Sequence, residues 1–294
     1  MVSEQQADAV VVWAPAKVNL FLEVLAKRDD GYHEIATLML AVSWYDTLEF
    51  KPGEPGVVRL RCDHPTLSAG PDNLVLRAAD RLRQRIGHPG GADIRLTKRI
   101  PLAAGLGGGS SDAAATLLGL NRLWGLGLSA HELADLGAEL GSDVAFFFST
   151  PAAWCTGRGE RVTPHPVGCP LHFVLVCPPV GLSTAEVYRQ VEVPREPRSG
   201  EEIGQAVADG DIAAVGQLLH NRLQPAAERL CPLVADWHAR LARLQPAGVL
   251  LSGSGSSLFA LCRGRREALG LARTVATMLN EDVQPRIGVV RSCW

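Results

Sequence analysis

The sequence lacks the features that mark several large classes of protein. No apolar stretch reaches about 18 residues without glycine, proline or a charged residue, so we expect no membrane span and no membrane partner. The formal net charge is −2, which argues against a nucleic-acid partner. Hydrophobic residues make up 47% of the chain, enough to build the core of a globular protein.

The cysteines also lack a pattern. The seven cysteines form no Cys-x-x-Cys pair, and no Cys/His group has the spacing of zinc ligands. An odd number of cysteines in a chain of 294 residues is typical of reduced thiols, which predicts a cytoplasmic protein. Residues 1–13 carry acidic side chains and only a short apolar run, unlike a secretory signal peptide.

Strand and helix patterns alternate loosely along the chain, and no repeat of 20 to 50 residues is present. Short β-branched or alternating runs predict strands at 10–13, 20–25, 36–42, 46–50, 57–62, 92–97, 172–177, 248–251, 258–262 and 284–290. Helical patterns occur at 73–86, 113–124, 129–140, 184–190, 201–209, 211–223, 230–244 and 267–280. This mixture predicts an α+β fold, which we divide into domains at 1–164 and 165–294.

Residues 101–112 read Pro-Leu-Ala-Ala-Gly-Leu-Gly-Gly-Gly-Ser-Ser-Asp and lead into an alanine-rich helical run. Glycines let successive backbone N–H groups approach a phosphate closely, and a following helix adds its unpaired N-terminal donors. Ser110 and Ser111 supply hydroxyl donors, and Asp112 is suited to cap the helix or to help hold a metal ion. The alternative is a flexible linker, which rarely lies between a β-rich run and an amphipathic helix.

Two common phosphate motifs do not fit this glycine segment. A P-loop requires Gly-Lys-Ser/Thr at its end, and no lysine follows these glycines. In the dinucleotide fingerprint Gly-x-Gly-x-x-Gly, Gly105 and Gly107 match but Ser110 takes the third position. The segment is therefore a phosphate loop of a third kind.

Three further clusters carry polar groups that suit catalysis, and each has a plain structural alternative. Lys17 and Asn19 alternate at a strand start and so share a face, although a lone lysine there is usually a solvated strand end. Asp143 precedes a very apolar run, where it is either a helix N-cap or a carboxylate placed to accept a proton. Residues 252–257, Ser-Gly-Ser-Gly-Ser-Ser, form a second glycine-serine loop or simply a tight turn.

Together these regions resemble the three signature regions of the galactokinase, homoserine kinase, mevalonate kinase and phosphomevalonate kinase superfamily. Within it, the chain is most similar to the kinases of 4-diphosphocytidyl-2-C-methyl-D-erythritol in the non-mevalonate isoprenoid pathway. Residues 14–22, Ala-Pro-Ala-Lys-Val-Asn-Leu-Phe-Leu, and the later Arg28-Asp29-Asp30-Gly31-Tyr32-His33 carry this closer resemblance. It covers about residues 11–259 and weakens between 191 and 247.

The resemblance implies a two-domain fold, with an N-terminal domain like ribosomal protein S5, a ferredoxin-like C-terminal domain and an active site in the cleft between them. It implies a transferase that uses ATP to phosphorylate the 2-hydroxyl of the cytidine diphosphate-linked sugar alcohol, with Mg²⁺ carried mainly by the ATP phosphates. A monomer and a weak homodimer both remain open. A sibling kinase for homoserine or a mevalonate-type alcohol, and a nucleotide-binding regulator without catalysis, are the alternatives.

The resemblance also assigns roles to residues. Asp143 would be the general base, and Lys17 would keep it ionised and steady the developing alkoxide. Implied ATP-binding residues are Asn73, Lys98, Pro101, Gly105, Leu106, Gly107, Gly108, Gly109, Ser110 and Ser111, with Asn73 and Lys98 near the adenine. Implied substrate-binding residues are Asn19, Tyr32, His33, Asp143, Thr184 and Tyr188.

In this assignment, Tyr32 and Tyr188 sandwich the cytosine ring, which stacking stabilises by about 1 to 3 kcal/mol. His33 bonds the edge of the base, while Asn19 and Thr184 face the methylerythritol diphosphate. The structural alternatives are aromatic residues at the edge of a core and a histidine in a surface turn.

Some positions depart from the family pattern. Ser142 and Ala145 stand where alanine and proline are common. Gln224 stands where an acidic residue often follows the Asn-x-Leu of the late helix. Residues 256–257 replace the more usual small pair with Ser-Ser. None of these changes removes a catalytic group.

Overall fold

The computed structural model describes residues 1–6, 8–87, 90–279 and 284–293. The chain forms two compact units from alternating segments. The first unit takes residues 1–16, 44–100 and 107–149, and the second takes residues 17–43, 101–106 and 150–294. The division at residue 164 stays a prediction.

A short first strand, β1 (Val2–Gln6), is followed by two long strands, β2 (Ala9–Lys27) and β3 (His33–Gly53). Each long strand supplies one half to each unit. The interruptions expected within them were wrong, because nearly every side chain of the first sixteen residues of β2 is buried, which favours continuous extended backbone through Pro15. The turn predicted at Asp29-Asp30-Gly31 is confirmed, with Gly31 at φ +84°.

In the first unit the strand order is β1-β2-β3-β5-β4, where β4 is Val58–Cys62 and β5 is Gly91–Thr97. β4 and β5 are parallel, and β5 is antiparallel to β3. The helices of this unit are α1 (Leu74–Ile86), α2 (Gly108–Leu123), α3 (Ala130–Leu140) and a 3₁₀ helix (Ala145–Phe148).

Side-chain caps begin two helices, and the capping box predicted at Ser129 is confirmed, while Asn73, predicted as the first residue of its helix, is the N-cap. Asn73 caps α1, its side chain accepting a hydrogen bond from the Val75 N–H at 2.9 Å. α3 begins with a capping box, in which Ser129 and Glu132 each bind the other's backbone N–H.

α2 begins five residues before its predicted start. Gly107 adopts φ +68° at the N-cap, and the helix follows at once, so Ser110, Ser111 and Asp112 all lie within it. The idea that Asp112 caps the helix was therefore wrong. A left-handed glycine can end a loop without a side-chain cap, which made this start hard to predict.

The second unit contains two groups of strands. β6 (Ala152–Gly157) pairs with the first half of β3 and with β7 (Arg161–His165). A separate antiparallel sheet contains four strands, in the order β10 (Gly248–Leu251), β11 (Leu258–Cys262), β8 (His172–Cys177) and β12 (Arg286–Arg291). A two-residue strand, β9 (His220–Asn221), lies parallel to Phe21–Leu22 of β2.

The helices of the second unit are α4 (Thr184–Arg189), α5 (Glu201–Asp209), α6 (Ile212–Leu218), α7 (Gln224–Leu230), α8 (Pro232–Arg243) and α9 (Arg265–Thr277). The helix predicted over 211–223 ends early, because residues 220–221 form β9 instead. Pro225 and Pro232 lie at the first turns of α7 and α8, where proline is well tolerated. Asn280, the predicted end of the last helix, lies outside the described residues.

All seven cysteines lie in the described part of the chain, and none of them is paired in a disulfide bond there. Cys177 on β8 and Cys262 on β11 are buried, and burial raises the pKa of Cys177 to about 11 and that of Cys262 to about 12. The core around these strands includes Val174, Leu258 and Trp237. No helix in the described part of the chain is both long and apolar enough to span a bilayer.

Candidate functional site

Lys17 lies in the middle of β2 and is only 3% exposed. The solvated strand-end alternative is therefore wrong. Its ammonium donates to Asn19 Oδ1 at 2.7 Å, which confirms that the two side chains share a face. Asn19 Nδ2 in turn donates to Thr37 Oγ1 at 2.9 Å, so the amide presents its oxygen to the lysine. The result is a buried ammonium held in a fixed orientation.

Thr37 was not predicted from the sequence. Its hydroxyl donates to the Phe21 carbonyl at 2.6 Å and so can only accept from Asn19. This choice of donor and acceptor fixes the orientation of the Asn19 amide. A threonine in a β-branched strand looks like ordinary strand composition, which is why the sequence did not single it out.

Residues 104–106 precede α2, and hydrogen bonds within the second unit hold their carbonyl groups. The Lys17 N–H donates to the Leu106 carbonyl at 2.9 Å, and the Ser257 N–H donates to the Ala104 carbonyl at 3.1 Å. Ser252 Oγ donates to the Gly105 carbonyl at 2.9 Å. Three successive carbonyls are thus occupied, which fixes this part of the glycine segment.

Residues 252–257, the second glycine-serine loop, form a tight turn that also packs against functional candidates. The Ser252 N–H donates to the Ser257 carbonyl at 2.9 Å and so closes the turn. A Cβ on Gly253 would lie 3.1 Å from Lys17 Nζ, so the backbone of this loop passes directly beside the ammonium. A side chain at residue 253 would push the ammonium aside, and Gly253 has φ +56°, so the loop shapes the surroundings of Lys17.

The side chain of Asn221 binds the backbone at the start of the second glycine-serine loop. Its Nδ2 donates to the carbonyls of Leu251 and Gly253 at 2.9 and 2.8 Å, while its Oδ1 accepts the Leu223 N–H at 2.9 Å. Both polar atoms of its side chain are engaged, and the residue is buried. The resemblance matched Asn221 as part of the Asn-x-Leu of a late helix and gave it no role, whereas the residue lies in the short strand β9.

The first turn of α2 belongs to the first unit. The Ser111 N–H makes the first helical bond, to the Gly107 carbonyl at 2.9 Å. The N–H groups of Gly108, Gly109 and Ser110 therefore have no carbonyl partner within the helix. A helix N-terminus preceded by left-handed glycines is suited to bind an anion.

Two residues implied to lie near an adenine have structural partners in the first unit. Asn73 caps α1, and its Nδ2 donates to the Ser68 carbonyl at 2.6 Å. Lys98 has a side chain that is 1% exposed, with its ammonium paired to Asp46 and Asp112. The distance from Lys98 Nζ to Asp112 Oδ2 is 2.7 Å.

Asp143 is half-buried in the turn before the 3₁₀ helix of the first unit. The N-cap of that short helix is Val144, so the N-cap alternative for Asp143 was wrong. Val144, Phe146 and Phe147 are fully or almost fully buried and anchor the turn. The carboxylate is therefore attached to a firmly packed segment.

The residues implied to bind a cytidine lie in the second unit. The His33 and Tyr188 rings stack with centroids 5.1 Å apart and 30° between their planes. Tyr32 is 52% exposed, and the guanidinium carbon of Arg158 lies 5.3 Å from its ring centroid. Burial, and to a smaller extent the charge of Lys27, lowers the pKa of His33, which favours the neutral ring at pH 7.

Thr184 is exposed at the start of α4 and shares a hydrogen bond of 2.9 Å with Ser254 Oγ of the second glycine-serine loop. The segment that carries Tyr188 is therefore linked to the loop beside Lys17. This joins the two groups of implied substrate residues within one unit.

Glu23 forms a buried ion pair that the sequence analysis missed. Its carboxylate accepts two hydrogen bonds from Arg222, at 2.7 and 2.8 Å, and lies 3.1 Å from His220 Nε2. The backbone N–H groups of Val24 and Arg198 also donate to it. Burial alone would raise the pKa of Glu23, but the Arg222 and backbone hydrogen bonds outweigh it and lower that pKa to about 2.

The described residues contain no group of three or more His, Cys, Asp or Glu side chains placed to hold a metal ion. A divalent cation that arrives with a phosphate ligand needs few protein donors, because Mg²⁺ commonly keeps its waters and binds substrate phosphates. The donor set is therefore compatible with metal carried by a nucleotide.

Comparison with known proteins gives two family matches. Residues 73–150 match the GHMP kinases N terminal domain, and residues 204–281 match the GHMP kinases C terminal domain. The first match includes the glycine segment and Asp143.

Curated relatives include the 4-diphosphocytidyl-2-C-methyl-D-erythritol kinase of Pelotomaculum thermopropionicum, 43% identical over 86% of this chain and 88% of the relative. The enzyme of the same name from Shouchella clausii is 44% identical over 84% of each chain.

Solved structures agree in fold. A crystal structure of 4-(cytidine 5'-diphospho)-2C-methyl-D-erythritol kinase is 36% identical, with a TM-score of 0.80 over 97% of this chain and 100% of that one. Homoserine kinase from Cytophaga hutchinsonii has a TM-score of 0.77 at 20% identity, over 100% of this chain and 97% of that one, and shows the fold alone. The α+β fold expected from the sequence is confirmed.

Proposed function

The chain belongs to the GHMP kinase family, and on that premise we propose that it transfers the γ-phosphoryl group of ATP to the 2-hydroxyl of 4-diphosphocytidyl-2-C-methyl-D-erythritol. Relatives that are named for this activity align with most of the chain, which supports the proposal. The structural observation that carries the proposal is the buried ammonium of Lys17, fixed by Asn19 and flanked by Gly253.

The reaction requires one bond to form and one to break. The substrate hydroxyl oxygen attacks the γ-phosphorus, the bond from that phosphorus to the β–γ bridging oxygen breaks, and ADP leaves. In the proposed assignment, the Asp143 carboxylate accepts the hydroxyl proton, and the Lys17 ammonium stabilises the charge that develops on the oxygen.

We assign phosphate binding to Gly105, Leu106 and the backbone N–H groups at the start of α2. Ordered carbonyls at residues 104–106 and unpaired helix donors support this assignment. Mg²⁺ would enter with ATP and neutralise charge on its phosphates. Pro101 fixes the backbone at the start of the segment.

We assign the cytidine end of the substrate to Tyr32, His33 and Tyr188, with Thr184 and Asn19 toward the methylerythritol diphosphate. The stacked His33 and Tyr188 rings support an aromatic site, because a pyrimidine can extend such a stack. A neutral His33 can both donate and accept a hydrogen bond at the edge of a base.

Phosphorus NMR and mass spectrometry of the purified protein with Mg-ATP test the proposal, using a panel that contains the cytidyl substrate, homoserine and mevalonate. We expect one phosphoryl group to be gained by the cytidyl substrate alone. Phosphorylation of homoserine or mevalonate instead would establish a sibling kinase. ATP binding without any product across the panel would indicate a regulator.

A further inference from the structure

Three charged side chains form a buried cluster in the first unit. The side chains of Lys98, Asp46 and Asp112 are 1%, 0% and 3% exposed. The Lys98 ammonium donates to Asp46 Oδ2 and, at 2.7 Å, to Asp112 Oδ2. The two carboxylates take two of the three N–H donors of the ammonium, and the side chain is almost fully enclosed, so little of the ammonium is open to a further ligand.

The cluster connects two parts of the chain that lie on either side of the glycine segment. Asp46 Oδ1 accepts the backbone N–H groups of Arg99 and Ile100, at 2.5 and 2.9 Å. Asp112 is the fifth residue of α2. Lys98 thereby joins the backbone before residue 101 to the second turn of the helix that follows.

The first residue of α2 rests directly on this ammonium. A Cβ on Gly108 would lie 3.2 Å from Lys98 Nζ and 3.1 Å from Ile100 Cγ2. Gly109 is close to Leu74, since a Cβ there would lie 3.5 Å from its Cδ1. The first residues of α2 therefore pack against the side chains of Ile100, Leu74 and Lys98, of which only Lys98 is polar.

Burying these three charged groups carries a free-energy cost of desolvation. The cluster places two carboxylates around one cation, and Asp112 Oδ1 is buried without a hydrogen-bond partner among the described residues. Burial raises the pKa of Asp112 well above its usual range, with the Lys98 charge opposing this and the Asp46 charge adding to it. Apolar side chains of similar volume commonly give equal or greater stability, so stability alone does not account for the cluster.

We propose that Lys98 is a positioning residue, which ties the first turns of α2 to the strand end before residue 101 and so sets the phosphate-binding backbone without touching the nucleotide. This inference rests on the proposed function, because it assigns the phosphates to that backbone. It replaces the expectation that Lys98 contacts the adenine.

A double-mutant cycle between Lys98 and Asp112 separates the two roles. Lys98→Met and Asp112→Ala each break the same tether, so each lowers kcat/KM for ATP by about ten- to a hundredfold, the scale expected when a binding group is misplaced. The double variant should have the same kcat/KM for ATP as the less active of the two single variants, because that variant has already lost the interaction between residues 98 and 112. A direct ligand gives another result: Asp112→Ala leaves kcat/KM for ATP unchanged while Lys98→Met lowers it, which overturns the proposal.

Amide hydrogen exchange without nucleotide gives a readout that does not depend on activity. We expect faster exchange at residues 111–114, whose N–H groups make the first intrahelical bonds of α2, in Asp112→Ala. The slow rate should recover in Asp112→Asn, whose side-chain oxygen can still accept from Lys98. Leu82→Ala, a buried change on α1, is the control for general loss of stability. Unchanged exchange at 111–114 in Asp112→Ala overturns the proposal even if Lys98→Met fails to fold.

The two proposals fail in distinguishable ways. If the protein phosphorylates none of the tested alcohols, the exchange measurement still reports whether the cluster holds the start of α2. If the exchange responds but kcat/KM for ATP does not, the tether exists and does not position the phosphate site, and the proposal is overturned while the kinase activity stands.

Discussion

The hydroxyl of Ser252 donates to the carbonyl of Gly105 at 2.9 Å, which joins the two glycine-rich segments of the chain. The two backbones also lie close together at the α-carbon of Gly105. A Cβ added there would lie 2.0 Å from the Ser252 carbonyl oxygen, which is shorter than any real contact of a Cβ atom. Residues separated by 147 positions thus pack backbone against backbone. Any side chain at residue 105 must displace one of the two loops.

Gly105→Ala is expected to lower both stability and the use of ATP. Alanine at φ +73° is strained by about 1 to 2 kcal/mol, and the clash with Ser252 adds to this. Gly125→Ala is the matched control, because Gly125 has φ +62° and a Cβ there would meet no other part of the described chain within 4 Å. Urea unfolding and KM for ATP should show the larger change for Gly105→Ala, and equal effects would contradict the role of the contact.

Asp143→Asn is expected to lower kcat by about 10² to 10⁴, the usual contribution of a positioned base, while ATP binding persists. Asparagine keeps the size of the side chain in the turn before Val144 but cannot accept the hydroxyl proton. Steady-state kinetics and nucleotide titration check both parts. A variant with wild-type turnover would remove Asp143 from the mechanism.

Tyr188→Leu is expected to raise KM for the cytidyl substrate by about five- to a hundredfold, because base stacking contributes about 1 to 3 kcal/mol. Tyr188→Phe keeps the aromatic face that now stacks on His33 and should retain most of the affinity. KM for ATP should stay the same in both variants. Equal losses in the leucine and phenylalanine variants would show that the ring does not act by stacking.

Glu23→Gln is expected to lower the free energy of unfolding at pH 7 and to do so less as the pH falls. The pKa of Glu23 is lowered from 4.5 to about 2 in the folded protein, so its ion pair with Arg222 stabilises the fold above about pH 4.5. That contribution, about 3 kcal/mol at about 1.4 kcal/mol per pH unit, is lost as the pH falls toward 2. Urea unfolding of both proteins at pH 7, 5, 4 and 3 measures the difference, and a gap that is independent of pH would contradict it.

The helix caps could be predicted from the sequence because they are local. Asn73 and the Ser129–Glu132 pair act within three residues of the helix start. The continuity of β2 through Pro15 depends on burial by distant parts of the chain, which no short pattern reveals. β9 likewise exists only because two residues near position 220 reach Phe21–Leu22.

The polar residues of the candidate site could be predicted from the sequence, but the residues that orient them through hydrogen bonds could not. Alternation along a strand placed Lys17 and Asn19 on one face, and their hydrogen bond confirms it. Thr37 comes from another strand and shows no motif. Asn221 lies in the Asn-x-Leu of residues 221–223, a motif that by itself does not indicate what its side chain contacts. Glu23 did offer one sign, since it is the single carboxylate in the apolar strand β2, where an unpaired charge would be costly. Asp46 offered none, because its strand also carries Glu34 and Glu49.

The central strands of the β10-β11-β8-β12 sheet carry thiols that stay protonated at neutral pH, because burial raises the pKa of Cys177 and Cys262 to about 11 and about 12. Alkylating reagents attack the thiolate, so these two positions are inert while the strands remain paired. The native chain therefore contains its own chemical reporters, which become reactive only when that sheet opens.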